Sequence, residues 1–157
     1  MSIKISYKNN ISTKSMTNLV LFVDENFNIS GLKKYISNSE FSYIADLIKN
    51  SDLKKDLLFF EVNSKKTVFL VSIKKDVEIS DIENLGAKFH SFINYDKKTE
   101  YSVNSDTINN KIKNFVGYFL HGLKLKSYEF NIYKSKKNKK IVFINVMGNK
   151  NKISTKN

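Results

Sequence analysis

Apolar positions along the chain alternate between two periods, and their order sketches a fold before composition is considered. Ile3, Ile5 and Tyr7 alternate with polar residues, the period of a half-buried strand. NLVLFV at 18–23 is a continuous apolar run that ends at the turn-forming Asp24-Glu25-Asn26. DLLFFEV at 56–62 and TVFLVSI at 67–73 have the same character, and short β-branched and aromatic runs of this kind suit strands buried on both faces. The polar Asn63-Ser64-Lys65-Lys66 between the last two predicts a hairpin loop. A weaker strand signal lies at 99–103, TEYSV, and a strong one at 140–147, KIVFINVM.

Helical spacing fills the intervals. Phe41, Ile44, Ala45 and Ile48 follow i, i+3, i+4, i+7, with Ser39 as the expected N-cap. Ser80 and Glu83 have the spacing of a capping box, opening a helix whose Ile82, Leu85, Phe89, Phe92 and Ile93 share one face. Asp106 is placed to cap a third helix with the stripe Ile108, Ile112, Phe115, Val116, Phe119 and Leu123. That helix is expected to end near Gly122, after which Tyr128, Phe130 and Tyr133 lead into the last strand. The order reads β-β-α-α-β-β-α-β-α-β. It predicts an α/β domain with a mixed sheet of about six strands and helices on both faces. One domain is expected over 1–147, with GNKNKISTKN at 148–157 as a frayed tail or the start of a linker.

Composition narrows this picture. At 157 residues, 41% hydrophobic and 27% charged, the chain has the make-up of one soluble globular domain. It has no cysteine, so disulfides and thiolate metal sites are unavailable. The N-terminus MSIKISYKNN has no apolar signal region and no apolar run reaches a bilayer span, so a cytoplasmic location and no membrane partner are expected. The formal charge of +12 comes from 27 basic residues, all of them Lys. Without Arg, bidentate reading of guanine is missing, which argues against sequence-specific DNA recognition. Weak electrostatic attraction to nucleic acid stays open, with Lys134–Lys140 either a polyanion contact or a solvated gatekeeper ahead of an apolar strand.

Candidate chemistry is sparse. No Gly-rich phosphate loop, nucleophile elbow or zinc-binding His pattern is present, and the five glycines are scattered. His90 borders an apolar stripe and reads as an amphipathic boundary residue. His121 reads as a helix-end residue favoured by the dipole. The pairs Asp24-Glu25, Asp76 with Glu78, and Asp81 with Glu83 each suit a turn or a helix start, and none has a third ligand at metal-binding spacing. No catalytic, cofactor-binding or metal-binding residue is therefore assigned, and no cofactor is expected for this chain.

Taken in order, NLVLFVDENFNISG, LLFFEV…TVFLVSI, ENLGAKFHSFI and GYFLHGLKLKSYEFNIYKSKK resemble the N-terminal domain of the leucyl aminopeptidase (cytosol aminopeptidase) family. The likeness covers about residues 3–147. It implies a macro-domain-like fold preceding a separate catalytic domain. In the family that domain uses two divalent metals, Zn or Mn, to release N-terminal amino acids from peptides. No position here matches those metal motifs, so none is carried over, and the chain ends where a linker to the catalytic half would begin. The resemblance implies a role in assembly: packing on a catalytic domain and joining sister subunits of a homo-oligomer, a hexamer in the family. One departure stands out. Family members often carry glycines after the strand at 67–73, where this chain has Val71-Ser72-Ile73-Lys74-Lys75. Two alternatives remain: a stand-alone macro-like module for ADP-ribose or a related nucleotide, and weak Lys-driven DNA binding.

Overall fold

The computed structural model describes residues 2–8, 18–52, 54–63, 65–95, 100–108, 114–134 and 141–148. Six strands form one sheet: β1 (Ser2–Lys8), β2 (Asn18–Asp24), β3 (Leu57–Asn63), β4 (Lys66–Ile73), β5 (Glu100–Asn104) and β6 (Ile141–Met147). Among the described residues three α-helices accompany them: α1 (Asn38–Lys49), α2 (Ile79–Tyr95) and α3 (Phe115–Lys134). The strand order is β1-β6-β5-β2-β4-β3. Every neighbouring pair is parallel except β3–β4. The expected mixed α/β sheet of six strands is thus present, and its mixing comes from the β3–β4 hairpin alone. β1 and β2, consecutive in sequence, are not neighbours; β1 lies at the edge beside β6.

The burial of each strand explains its pattern. β4 is buried along its whole length and β2 up to Val23, since both lie inside the sheet with side chains packed on each face, so neither needs alternation. β3 is an edge strand. Leu58 and Phe60 are buried while Phe59 and Glu61 reach solvent. On one face, α2 and α3 cover Val20, Phe22, Phe69, Tyr101, Val103 and Ile144. On the other, α1 and a 3-10 turn at Ser30–Lys34 cover Leu19, Leu21, Leu58, Val68 and Leu70. Between β2 and β3 the expected order had two helices; the structure has this 3-10 turn and one α-helix.

Helix starts differ from expectation in informative ways. The cap of α1 is Ser37, two residues before Ser39. Ser37 Oγ accepts the Glu40 N–H at 3.2 Å, and the Glu40 carboxylate accepts the Ser37 N–H at 2.9 Å. α2 begins at Ile79, so Ser80 lies inside it. The side chain reaching back over its first turn is Asp81, which accepts the Glu78 N–H at 2.9 Å. Asp106 does not open α3. It sits in a second 3-10 turn, Ser105–Thr107, capped by Asn104, and α3 starts only at Phe115. Ile108 is buried nonetheless, and Ile112 lies outside the described residues. At its other end α3 does not stop at Gly122 but runs on to Lys134. Tyr128 is therefore an exposed helical residue, and the side chains of Phe130 and Tyr133 lie outside the description. Most of 148–157 lies outside it as well.

Glu40 does double duty. Besides capping α1 it pairs with Lys66, which is 6% exposed, at 3.1 Å, tying the helix to the start of β4. Burial pushes the Glu40 carboxyl up, but the Ser37 and Lys66 hydrogen bonds and the Lys66 charge outweigh it, and its pKa falls below the ordinary value. A depressed carboxyl pKa adds stability above the unfolded-state value, and that stability is lost as pH falls through the folded value. Glu40→Gln is expected to lower the melting temperature at pH 7 and to flatten the acid limb of stability against pH. Chemical denaturation between pH 3 and 7 measures both, and an unchanged acid limb contradicts the assignment.

Candidate functional site

At the carboxyl ends of the parallel strands the connections diverge. The chain leaves β2 toward α1 on one face, while β4 and β5 lead to α2 and α3 on the other. Open α/β sheets hold ligands at such a switch point, outside the carboxyl ends of their strands. A crevice of about 1020 Å³ lies here, floored by Phe22, Val23 and Ile73 from the strand ends and by Leu32 from the first 3-10 turn.

Its rim comes from three loops. After β2, Asp24 Oδ1 accepts the N–H groups of Asn26 at 3.1 Å and Asn28 at 2.9 Å, and Asn28 Oδ1 accepts the Ser30 N–H at 3.0 Å. This chain of side-chain-to-backbone bonds fixes a turn in which buried Phe27 adopts φ 55°, a left-handed conformation that costs a bulky residue about 1–3 kcal/mol. After β4 come Lys74 and Lys75, the positions where the family resemblance expected glycines. After β5 the second 3-10 turn brings Asp106 and Thr107. Thr107 Oγ1 accepts the Phe22 N–H at 2.9 Å and donates to the Asn104 carbonyl at 2.8 Å, locking that turn onto β2. Asn104 Oδ1 accepts the Asp106 N–H at 2.9 Å, while its Nδ2, buried, has no hydrogen-bond partner. Tyr35 completes the rim. Burial, and then the Asp106 carboxylate, hold its phenol above the ordinary value, so it stays protonated at neutral pH.

The crevice lining therefore carries both signs of charge. Asp24 and Asp106 line it together with Lys34, Lys74 and Lys75. A second crevice of about 700 Å³ adjoins it along α2, where Lys88 pairs with Asp56 and Lys74 approaches the same carboxylate at 3.9 Å.

The residues weighed in the sequence fall elsewhere or change role. His90 is not a boundary residue; it is 2% exposed on the buried side of α2, and burial, then the Lys126 charge, keep it neutral. His121 is not at a helix end; it lies inside α3 and its Nδ1 meets Glu83 Oε2 of α2 at 2.5 Å. Asp76, Glu78 and Asp81 line the second crevice. Among the described residues no three His, Asp or Glu side chains gather as a metal site, and no helix is long and apolar enough to cross a membrane. Of the residues singled out beforehand, only Asp24, Lys74, Lys75 and Asp106 meet at the crevice, and none was singled out as a binding residue. The available signal was positional: each lies within two residues of a strand's end.

No protein-family model matches the chain, and no curated protein does. Solved structures do match. A tomato leucine aminopeptidase variant superposes with a TM-score of 0.65 at 15% identity, over 94% of this chain and 32% of that one. The macrodomain of Thermus aquaticus DarG superposes with a TM-score of 0.61 at 8% identity, over 93% of this chain and 99% of that one. The chain thus spans about a third of the aminopeptidase and nearly all of the macrodomain. At these identities the likeness is one of fold: a mixed six-stranded α/β domain similar to a macrodomain and to part of leucine aminopeptidase.

Proposed function

We propose that this chain is a non-catalytic N-terminal domain of leucyl aminopeptidase type, whose work is assembly. It packs on a catalytic domain and helps hold sister subunits in a homo-oligomer, with the two divalent metals, Zn or Mn, residing in that other domain. The observation that carries this reading is the superposition of 94% of the chain on about a third of a leucine aminopeptidase, which joins the resemblance along residues 3–147. The isolated chain, supplied with Mn²⁺ or Zn²⁺ and a leucine-anilide substrate, is expected to show no turnover. Turnover that co-purifies with the chain and disappears with it overturns the non-catalytic assignment. The reading frame beyond Asn157 tests the assembly half, with a carboxylate-rich metal-binding region expected. An immediate stop codon overturns that part.

A second reading, a free-standing macro-like module for ADP-ribose or a related nucleotide, is favoured by the crevice at the strand ends. The rim counts against it. Asp24 and Asp106 would face a diphosphate, and lysines stand where a close backbone approach would need glycine.

A further inference from the structure

We propose that β1 is a self-pairing edge, through which two copies of this chain join antiparallel into one continuous sheet about a two-fold axis at Ile5. The first ground is an unfilled ladder. Among the described residues β1 pairs along its whole length with β6 and forms the outer edge of the sheet. Its other side is a row of backbone N–H and C=O groups, which templates a further strand. β1 carries no proline and no bulge to blunt that row.

The second ground is that the strand matches itself in one register. Centred on Ile5, antiparallel pairing sets Ile5 opposite Ile5, Ile3 opposite Tyr7, Lys4 opposite Ser6 and Ser2 opposite Lys8. Apolar residues meet apolar residues, and each lysine position meets a serine. Moving the axis to Lys4 sets that lysine against itself, and moving it to Ser6 sets Lys4 against Lys8. Like charges directly opposite destabilise a pair, so the lysines close the neighbouring registers and leave this one open. The side chains agree. Ile3 and Ile5 are half-buried against the core under α2 and α3, while Tyr7 on the same face is 39% exposed. In the joined sheet each Tyr7 lies beside Ile3 of the other copy and loses water. On the opposite face Ser6 Oγ donates to Asn145 Oδ1 at 2.7 Å, which fixes the serine that each Lys4 meets. A seven-residue edge buries less than the roughly 1,200 Å² of a stable interface, so the contact is weak by itself and gains strength inside a larger assembly. It deepens the assembly reading by naming where sister subunits meet, and it fails separately. The frame beyond Asn157 tests that reading, whereas self-association of this chain tests this one.

Because the chain has no cysteine, single introduced cysteines report the register. Opposite residues of an antiparallel pair have Cα atoms about 4.5–5.5 Å apart, within the roughly 4.4–6.8 Å that a disulfide spans. Ile5→Cys in the full chain, concentrated and mildly oxidised, is expected to give mostly disulfide-linked dimer. Ile3→Cys alone and Tyr7→Cys alone are expected to stay monomeric, since like positions then lie roughly 14 Å apart. Mixed together, those two are expected to cross-link, with circular dichroism confirming that each variant folds. Sedimentation equilibrium of the cysteine-free chain at about 0.15 M salt supplies a second readout. Ser6→Lys sets lysine opposite lysine twice and is expected to weaken self-association at least about tenfold. Ser80→Lys on α2 adds the same charge elsewhere and is expected to leave it nearly unchanged. If neither Ile5→Cys nor the mixed pair cross-links, the proposal is overturned and the edge is left to a strand from another protein. Cross-linking of Ile3→Cys alone as readily as Ile5→Cys also overturns it, as does an equal effect of the two lysine substitutions.

Discussion

Gly122→Val is expected to destabilise the protein by about 3 kcal/mol or more. A Cβ at Gly122 would lie 1.9 Å from the Glu83 carbonyl oxygen, and one at Gly86 would lie 2.0 Å from the Phe119 carbonyl oxygen. Each obstacle is the backbone of the facing helix, so no side-chain rotation relieves it. The helices must separate, and separation pulls Ile82, Leu85, Phe119 and Leu123 away from a shared core. A protein of this size loses roughly 2–4 °C of melting temperature per kcal/mol. Thermal unfolding should therefore shift by about 10 °C, and Gly86→Val should behave alike. A shift under 2 °C for both would mean that the helices do not cross as closely as the backbone distances require. Gly31 is the control, because a Cβ there meets nothing within 4 Å.

The second large effect is expected at Phe69. Its ring is 2% exposed and makes edge-on contacts with Phe89 at 5.3 Å, Tyr101 at 5.9 Å and Phe92 at 6.2 Å. Phe69→Ala removes the centre of this cluster in the middle of the sheet. Truncation of a buried Phe costs about 3–5 kcal/mol, because a cavity remains in addition to the lost transfer energy. Phe59, its neighbour on the edge strand at 6.1 Å, is 47% exposed. Phe59→Ala should cost well under half as much. Urea unfolding of the two variants measures the contrast, and equal losses would contradict the placement of β4 inside and β3 at the edge.

Strands were the part of the fold most legible in the sequence. The runs at 18–23, 56–62, 67–73 and 140–147 became β2, β3, β4 and β6 within a residue or two of their expected ends. Long apolar runs leave few alternatives to a buried strand. Partnership was not legible in the same way. The neighbour of β1 is β6, whose paired residues Ser6 and Asn145 lie 139 positions apart, and no local pattern encodes that choice. The third helix was misplaced at both ends for a related reason. Asp106 has the chemistry of a cap, but Asn104 two residues earlier takes that role in a tight turn, and Ile108 is buried without being helical. Gly122 suggests a stop by propensity, yet here it permits close contact with α2, a tertiary requirement that outweighs the local one. The crevice was least legible, since Asp24, Lys74 and Asp106 come from three loops about 80 residues apart at the extremes and converge only through sheet order.

The pairing of β1 with β6 also has a consequence for how the chain comes to be folded as it is made. Synthesis at roughly 10 residues per second puts about 10 s or more between the appearance of the two strands. The β3–β4 hairpin and the β2–β4 pair can close long before then, so the sheet grows from its β3 edge toward β1. Throughout that interval β1 has no partner in the sheet, and its alternation of Ile3, Ile5 and Tyr7 with Lys4, Ser6 and Lys8 puts a lysine beside each apolar residue. The first strand made is the last to be paired.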